Sequence, residues 1–321
     1  MKLSVIGFGV MGERIVRASL EHPSPEVNLV AVWDPSTNAM VRLAKDIPSA
    51  PSAASLEEAI GLADCVYIAS PPKTHLSLAR EALAAGKAVF TEKPLGVSLS
   101  DSQKFVAETS GNRVAVNFIF ASSPAVAQLR RWIDEGVVGE PTSLKIETDF
   151  ATWPRGWQMD AVSWLARREE GGFTREVVSH FLFLTSRLLG ETTLEQAKAS
   201  FEIDGLSETS IQAKLRVGDL PVTLTGGVGT TKKEDHNLWL LEGTKGAVRL
   251  IDWSTAERHD PNAGWITAPG ALPHSEARPI ILRDQLTKLA AMTAGHSHDL
   301  ASPLEAFAVQ KIVEDILASS I

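Results

Sequence analysis

The sequence predicts an α/β protein with an N-terminal doubly wound parallel sheet and a C-terminal α+β domain that contains a large, mostly antiparallel open sheet. Residues 1–120 alternate short apolar strands with helical patterns, which is typical of parallel strands joined by helices. From residue 142 onward, longer alternating segments are separated by turn residues, which favours an antiparallel sheet. We therefore expect two domains, residues 1–120 and residues 121–321, with closing helices that belong to the second domain or pack back on the first.

The elements of the first domain follow from apolar runs and from capping residues. Its predicted strands are 2–6, 27–33, 64–69, 88–90 and 113–119. Its predicted helices are one ending near residue 20, 39–45, one opening at residue 55, 75–85 and 101–109. Ser55 and Glu58 form a capping-box pattern, Thr74 is placed as an N-cap, and Gly86 stands where a helix ends in a left-handed turn.

The second domain begins with a helix and continues with strands of alternating polarity. Ser123 and Pro124 predict a helix start, and that helix continues to Ile133. The predicted strands are 143–150, 197–203, 209–217, 222–227, 237–242 and 247–251. The predicted closing helices are 278–294 and 303–319.

Composition excludes several classes of protein. The chain of 321 residues has a net charge of −8 and no basic run, which argues against nucleic acid and anionic membranes as partners. No apolar run is long enough to span a bilayer, and the N-terminus lacks the apolar core of a signal peptide. The single cysteine, Cys65, excludes an internal disulfide framework. We expect a soluble, cytoplasmic protein in which Cys65 is a buried side chain.

A glycine-rich motif directly follows the first strand and directly precedes the first helix. It comprises Gly7, Phe8, Gly9, Val10, Met11 and Gly12. At this place, backbone amides and a helix N-terminus can face a pyrophosphate, as in a Rossmann domain. The second strand ends in Asp34, roughly 20 residues after Gly12, where such domains need a carboxylate for the adenosine ribose. The motif and Asp34 together predict a nicotinamide dinucleotide site.

The residues after Asp34 favour NAD over NADP. A carboxylate at this position repels a 2′-phosphate, and no lysine or arginine follows until Arg42. Ser36 and Thr37 are hydroxyl donors that could still bind a phosphate. NADP therefore stays open as the alternative cofactor.

Two further segments have side chains suited to proton transfer. Lys93, in Glu92-Lys93-Pro94, follows a predicted parallel strand at the sheet edge where α/β proteins bind ligands, although an ordinary loop lysine is an equal alternative. Glu176 and His180 lie four residues apart and would share one helix face, where the carboxylate could orient the imidazole. His180 could also be a packed core histidine. No third ligand of suitable spacing accompanies them, so we expect no metal site.

These segments, in this order and spacing, resemble the glucose–fructose oxidoreductase/inositol dehydrogenase (Gfo/Idh/MocA) family over nearly the whole chain. The resemblance implies that Lys93 and His180 are the catalytic pair, with His180 as the general acid/base. It implies that Glu92 contacts the nicotinamide ribose and that a cis peptide precedes Pro94. Further cofactor contacts are implied at Ser70, Pro71, Thr74, His75, Lys93 and Asn117. Many members have Asp where Glu176 stands, so we expect Glu176 to act as a support.

The substrate is less clearly indicated. Trp153, Arg155 and Trp157 lie shortly before the His180 segment, and aromatic faces stack on sugars. Arg155 or Arg175 could anchor an anionic group. Packing of the tryptophans in the domain or in a subunit interface is an equal alternative. The resemblance implies a sugar, an inositol or a related polyol.

The leading interpretation is an NAD(P)-dependent dehydrogenase that acts on a secondary alcohol. One alternative is a glycosidase-like enzyme in which bound NAD is reduced and reoxidised in each turnover. The other is a non-catalytic dinucleotide-binding regulator, which would not need Lys93 and His180. A half-apolar sheet face in the second domain predicts a homodimer or homotetramer through that sheet.

Overall fold

The computed structural model describes residues 1–319 and contains two compact units. Unit 1 comprises residues 1–121 and 279–308, and unit 2 comprises residues 122–278 and, within the described part, 309–319. Part of the closing helical region therefore belongs to the N-terminal unit.

Unit 1 contains a five-stranded parallel sheet in the order β2-β1-β3-β4-β5, as the sequence predicts. The strands are β1 (Lys2–Ile6), β2 (Asn28–Trp33), β3 (Cys65–Ile68), β4 (Ala88–Glu92) and β5 (Val114–Asn117). The helices between them are α1 (Val10–Glu21), α2 (Thr37–Asp46), α3 (Leu56–Leu62), α4 (His75–Ala84) and α5 (Leu99–Glu108). The strands are buried on both faces, which explains their nearly continuous apolar sequences.

The remaining helices are α6 (Pro124–Asp134), α7 (Val162–Leu165), α8 (Ser179–Leu189), α9 (His274–Thr293) and α10 (Pro303–Ala318). Most of α9 belongs to unit 1, where Leu282, Leu286 and Leu289 pack into the same apolar cluster as the strands. Cys65 is also part of this cluster, and burial raises the pKa of its thiol to about 12. The thiol is therefore a packed, un-ionised group.

Unit 2 contains an eight-stranded sheet in the order β13-β12-β11-β10-β6-β9-β8-β7. Its strands are β6 (Pro141–Phe150), β7 (Thr192–Ser200), β8 (Ser210–Val217), β9 (Leu220–Val228), β10 (Asp235–Gly243), β11 (Ala247–Ile251), β12 (Thr255–Asp260) and β13 (Gly264–Thr267). All neighbours are antiparallel except β6 and β9, so the sheet is mixed. The strand predicted at 197–203 lies earlier, and the sequence analysis missed β12, which is polar, and β13, which has only four residues.

The two faces of this sheet differ in polarity. On one face, buried Trp239 donates its Nε1–H to Thr185 Oγ1 of α8 at 3.0 Å, so α8 covers this face. The opposite face carries Lys145 and Glu147 of β6 and Lys214 of β8. The sequence-based argument for oligomerisation assumed a half-apolar free face, and this assumption is wrong for most of the sheet.

Two capping predictions gave different outcomes. Ser55 Oγ accepts a hydrogen bond from the Glu58 amide at 3.1 Å, and Glu58 reaches back to the amide of Ala54. Thr74 occupies the N-cap position of α4, but its side chain does not cap the helix. Its hydroxyl donates to Ser70 Oγ and to the Pro71 carbonyl instead, which closes the loop after β3. The Thr74 capping prediction was therefore wrong.

Candidate active site

The glycine-rich loop of unit 1 has two glycines that the protein's own backbone requires. Gly7 has a φ of +97°, and a Cβ there would lie 2.7 Å from the carbonyl carbon of Ala69. A Cβ on Gly12 would lie 1.9 Å from the carbonyl oxygen of Gly7. Side chains at these two positions would thus prevent β1, the loop and α1 from packing as they do.

The middle glycine, Gly9, is different because no protein atom restricts it. A Cβ there would meet nothing within 4 Å, and Gly9 is the N-cap of α1 without a side-chain cap. The amides of the first turn of α1 therefore face space that a ligand can enter closely. This arrangement suits the pyrophosphate of a dinucleotide. Phe8 is buried, and Val10 and Met11 are half-buried around the loop.

Asp34 is held at the carboxyl end of β2 by the glycine-rich loop. Its Oδ2 accepts a hydrogen bond from the Phe8 amide at 2.7 Å, and its Oδ1 accepts one from the Ser36 amide at 2.7 Å. Arg42 donates to the Phe8 carbonyl, and its guanidinium lies 5.1 Å from the centre of the Phe8 ring. The structure therefore places a cation beside the glycine-rich loop, whose Phe8 amide also binds Asp34.

His75 joins the two loops that follow β3 and β4. Its Nδ1 lies 2.8 Å from the Pro94 carbonyl and its Nε2 lies 2.8 Å from the Ser70 carbonyl. The side chain is buried, so it fixes these loops from within. Pro71 and Thr74 lie exposed on the same loop as Ser70.

A buried hydrogen-bond network surrounds Glu92 at the end of β4. The Tyr67 hydroxyl of β3 donates to Glu92 Oε1, and Asn117 Nδ2 of β5 donates to the same oxygen at 2.6 Å. Gln285 of α9 donates to Asn117 Oδ1 at 2.6 Å. Burial and the Glu92 charge raise the pKa of Tyr67 well above its ordinary value, so its phenol keeps its proton and remains a donor.

Lys93 follows this network and is only 8% exposed. The Lys93–Pro94 peptide bond is cis, as the family resemblance implies. A buried lysine after a carboxylate whose Oε1 accepts two hydrogen bonds differs from an ordinary solvated loop lysine. The geometry thus favours a functional interpretation of Glu92-Lys93-Pro94.

His180 of unit 2 lies at the start of α8 and is 5% exposed. A π-helical segment, Thr174–Val178, precedes α8, and π turns are frequent at functional sites. The sequence prediction of a regular helix between Glu176 and His180 was therefore wrong. Because the π turn is wider, four-residue spacing no longer aligns the two side chains as in an α-helix. The Trp253 ring lies edge-on to the imidazole, with 5.6 Å between the ring centroids.

Two glycines and a buried glutamate fix the start of this segment. A Cβ on Gly171 would lie 2.0 Å from the Leu165 carbonyl oxygen, and one on Gly172 would lie 2.2 Å from Glu208 Oε2. Glu208 Oε1 accepts a hydrogen bond from the Thr174 amide at 2.7 Å. Glu208 is buried, and burial raises its pKa above the ordinary value. These contacts position the segment that leads to His180.

The four predicted substrate residues have different surroundings. Arg155 is buried and forms an ion pair with Asp235 at 2.7 Å, and its guanidinium lies 4.6 Å from the centre of the exposed Trp157 ring. Trp153 packs against Phe150 at a centroid distance of 5.1 Å, which indicates a packing role.

Arg175 is committed to structure. Its guanidinium makes two 2.7 Å bonds to the Glu314 carboxylate and two 2.8 Å bonds to the carbonyls of Arg168 and Gly171. A substrate anion would have to displace these partners. We therefore regard Arg155, rather than Arg175, as the anion-binding candidate of the pair.

Sequence reasoning missed several residues that build these sites. In unit 1 they are Tyr67 and Gln285, and in unit 2 they are Asp235, Trp253 and Glu208. Tyr67 gave a signal, because it is the only tyrosine of the chain and interrupts an apolar strand. The others lie far along the chain from the motifs, and their partners follow only from the fold.

The described residues were searched for a metal-binding group and for a membrane-spanning helix. Within residues 1–319, no group of three or more histidine, cysteine, aspartate or glutamate side chains is arranged to hold a metal ion. None of the helices in this range is both long and apolar enough to cross a membrane.

Comparison with known proteins relates the N-terminal part of the chain to one family. Residues 1–118 match the model of the Gfo/Idh/MocA oxidoreductase family, described as an NAD-binding Rossmann fold. The N-terminal unit is therefore similar to the NAD-binding domain of this oxidoreductase family, and the match covers about a third of the chain. The enzyme class and the cofactor predicted from the sequence are thereby confirmed.

Individual relatives are distant. The scyllo-inositol 2-dehydrogenase (NAD(+)) of Bacillus subtilis is 31% identical over 45% of this chain and 43% of its own. The 2,7-anhydro-N-acetylneuraminate hydratase of Escherichia coli is 27% identical over 78% of this chain and 61% of its own. Over eight curated relatives, the alignment covers from 37% to 68% of the relative's length.

Solved structures extend the likeness to the whole fold. A levoglucosan dehydrogenase in complex with NADH and levoglucosan has a TM-score of 0.84 at 18% identity, with 99% of this chain and 96% of that chain covered. At this identity the likeness shows the fold, including both sheets, and leaves the substrate open.

Proposed function

We propose that this chain is an NAD-dependent dehydrogenase that transfers hydride between nicotinamide and a secondary alcohol of a sugar, an inositol or a related polyol. The observation that supports this most is buried Lys93, which directly follows network-bound Glu92 at the carboxyl end of a strand in an NAD-binding domain. The named activities of the Bacillus inositol relative and of the levoglucosan dehydrogenase agree with this class of substrate.

Within the N-terminal domain, the proposed roles follow the geometry of the strand ends. The glycine-rich loop would bind the pyrophosphate, Asp34 the adenosine ribose and Glu92 the nicotinamide ribose. Ser70, Pro71 and Thr74 would line the cofactor, while His75 and Asn117 would act by fixing the loop and Glu92. The bound nicotinamide would supply the hydride acceptor.

His180 is the proposed general acid/base, and Lys93 would bind the alcohol oxygen and assist its deprotonation. Glu176 is the proposed support for this chemistry. We expect Glu176→Gln to reduce kcat less than His180→Ala does. Unchanged kcat in Glu176→Gln would show that the support role is wrong.

The proposal favours NAD over NADP because Asp34 faces the ribose position. Arg42 brings a positive charge to the glycine-rich loop, so the affinities for the two cofactors should be compared. Equilibrium titration with NADH and NADPH would give the ratio directly, and tighter binding of NADPH would contradict the proposal.

A redox-neutral enzyme on the same fold is the second candidate, and the relative named as a hydratase favours it. Both candidates need the same cofactor site, but they differ in net product. A dehydrogenase releases one NADH for each alcohol oxidised, whereas the redox-neutral enzyme reoxidises its NADH before product leaves.

The direct experiment is a panel of sugars, inositols and sugar acids incubated with the protein and NAD. NADH that accumulates in proportion to oxidised product supports the dehydrogenase. Substrate conversion without NADH accumulation supports the redox-neutral candidate instead. No conversion of any compound together with tight dinucleotide binding would favour a non-catalytic regulator.

A homodimer or homotetramer through the C-terminal sheet remains our proposal for the assembly. A narrow apolar strip on the face opposite α8 supports this proposal, and it includes Leu238, Leu240 and Ile251. Light scattering of the purified chain would test the assembly. A monomer at micromolar concentration would contradict it.

A further inference from the structure

Unit 2 contains a group of charged and aromatic side chains around Arg155 that the proposed chemistry does not yet use. We call it the arginine cluster, and it consists of Arg155, Asp235, Trp253, His274 and Arg278. All five residues belong to unit 2, and they come from four segments that are distant in sequence.

Arg155 is fixed within this cluster before any ligand binds. Its Nη1 donates to Asp235 Oδ2 at 2.7 Å and its Nε donates to Gln158 Oε1 at 2.9 Å. These two bonds leave Nη2 as a donor with a set direction. A pre-oriented guanidinium suits recognition of a planar anion because little side-chain entropy is lost on binding.

Trp253 connects the cluster to His180. Its Nε1–H donates to Asp235 Oδ2 at 3.2 Å, so the same carboxylate holds both Arg155 and Trp253. The Trp253 ring lies 5.6 Å from the His180 imidazole and 5.9 Å from the His274 imidazole, measured between centroids. The arginine cluster therefore adjoins the proposed general acid/base.

Arg278 adds a second cation. It lies one turn after His274 in α9, so the two side chains share a helix face. Burial is the largest effect on the pKa of Arg278, and it lowers this pKa. The charge of Arg155 lowers the pKa further, whereas the charge of Asp235 raises it. Within residues 1–319, the Arg278 guanidinium makes no hydrogen bond or ion pair. It is half-buried and stays protonated at neutral pH.

The charges of the cluster do not cancel. Two arginines face one aspartate, which leaves an excess of one positive charge in partly buried surroundings. Of the neighbouring carboxylates, Glu234 is exposed, and Asp252 binds His236 at 2.9 Å. A half-buried guanidinium without a partner is unfavourable unless an anion compensates it. A carboxylate has the one negative charge that would balance the cluster, whereas a phosphate dianion would reverse its sign.

We propose that the arginine cluster binds a carboxylate of the substrate, so that the preferred substrate is a sugar acid or a related acidic polyol. This inference rests on the proposed dehydrogenase function and narrows its substrate class. Arg278 receives the carboxylate on its open guanidinium, Nη2 of Arg155 contributes a further donor, and the alcohol carbon lies toward His180.

The test compares three matched kinds of compound with NAD: neutral sugars such as D-glucose, sugar acids such as D-glucuronate and D-gluconate, and sugar phosphates such as glucose 6-phosphate. We expect the highest kcat/KM with a sugar acid. Arg278→Gln should lower the ratio of acid to neutral kcat/KM by about 10- to 100-fold, the range for a lost charged hydrogen bond. The control is Arg283→Gln, an exposed position on the same helix, and it should leave this ratio unchanged.

The outcomes separate this inference from the proposed function. The inference is overturned if neutral polyols are oxidised at least as efficiently as acids and Arg278→Gln does not change the ratio of acid to neutral kcat/KM. The proposed dehydrogenase function would not be affected by this result. A preference for phosphates overturns the carboxylate assignment. If no compound yields NADH, calorimetry of the NADH-loaded protein decides: D-gluconate binding that Arg278→Gln weakens supports the inference, and no saturable binding overturns it.

Discussion

The network around Glu92 in unit 1 and the arginine cluster in unit 2 are built in opposite ways. In unit 1, Tyr67, Glu92 and Asn117 come from the ends of adjacent parallel strands, and their hydrogen bonds close on one another. In unit 2, the arginine cluster draws on distant segments and leaves Arg278 without a protein partner in the described chain. We expect the closed network to hold Glu92 in place for the proposed cofactor, and the open cluster to leave binding capacity for the proposed substrate.

The largest effect should come from removing the buried lysine next to the closed network. Lys93→Met should reduce kcat by about 10²- to 10⁴-fold, the usual contribution of a positioned proton-transfer group. NADH affinity should change little, because Tyr67 and Asn117 still donate hydrogen bonds to Glu92. Steady-state kinetics and NADH titration check this result.

The matched control for Lys93 is Lys73→Met, since Lys73 is exposed in the loop after β3. It should retain the kcat of the unsubstituted protein. Full turnover in Lys93→Met would exclude the catalytic role and would revive the non-catalytic regulator.

A change inside the closed network should appear first as lost stability. Tyr67→Phe removes the hydroxyl that donates to Glu92 and weakens the hydrogen bonding of a buried carboxylate, at a cost of about 1–3 kcal/mol in the free energy of unfolding. Urea denaturation measures this loss. In the double variant with Glu92→Gln the two effects should not add, and simple additivity would argue against the network.

Cofactor choice should change more modestly. Asp34→Ala removes the acceptor proposed for the ribose and one anchor of the glycine-rich loop, so NAD affinity should fall about tenfold. The preference for NAD over NADP should decline as well, because repulsion of the 2′-phosphate is lost. Titrations of both cofactors check this, with exposed Asp46→Ala as the control. An undiminished NAD preference would remove Asp34 from cofactor selection.

The smallest effect concerns Glu208, which positions the segment before His180. Its pKa is raised in the folded state, so the folded chain binds this proton more tightly than the unfolded chain does. Stability from this group is thus fully present below the ordinary pKa of 4.5 and is lost as the pH rises through the raised value. Glu208→Gln should flatten this decline in urea denaturation at several pH values.

Exposed Glu202→Gln is the control for this experiment, and it should keep the pH dependence of the original chain. The same pH dependence in Glu208→Gln would show that Glu208 is ionised equally in both states.

The comparison also explains how far the sequence could predict the structure. Gly7, Asp34 and Lys93 were predictable because each follows or ends a parallel strand, and those strand ends meet at one edge of the sheet. Asp235 and Trp253 were not, because pairing of β10 with β11 brings their segments together only after long-range folding. Arg278 was not either, because it lies in α9, which is distant in sequence from both. The π turn before His180 also escaped prediction, since its sequence reads as an ordinary helix.

The most direct test of the account is single-turnover NADH formation by His180→Ala, using the best compound from the substrate panel. We predict that NADH binding is unchanged while NADH forms at least about 100-fold more slowly than in the original chain, since the proton acceptor is gone. NADH formation at the original rate in His180→Ala would contradict the assignment of proton transfer to His180.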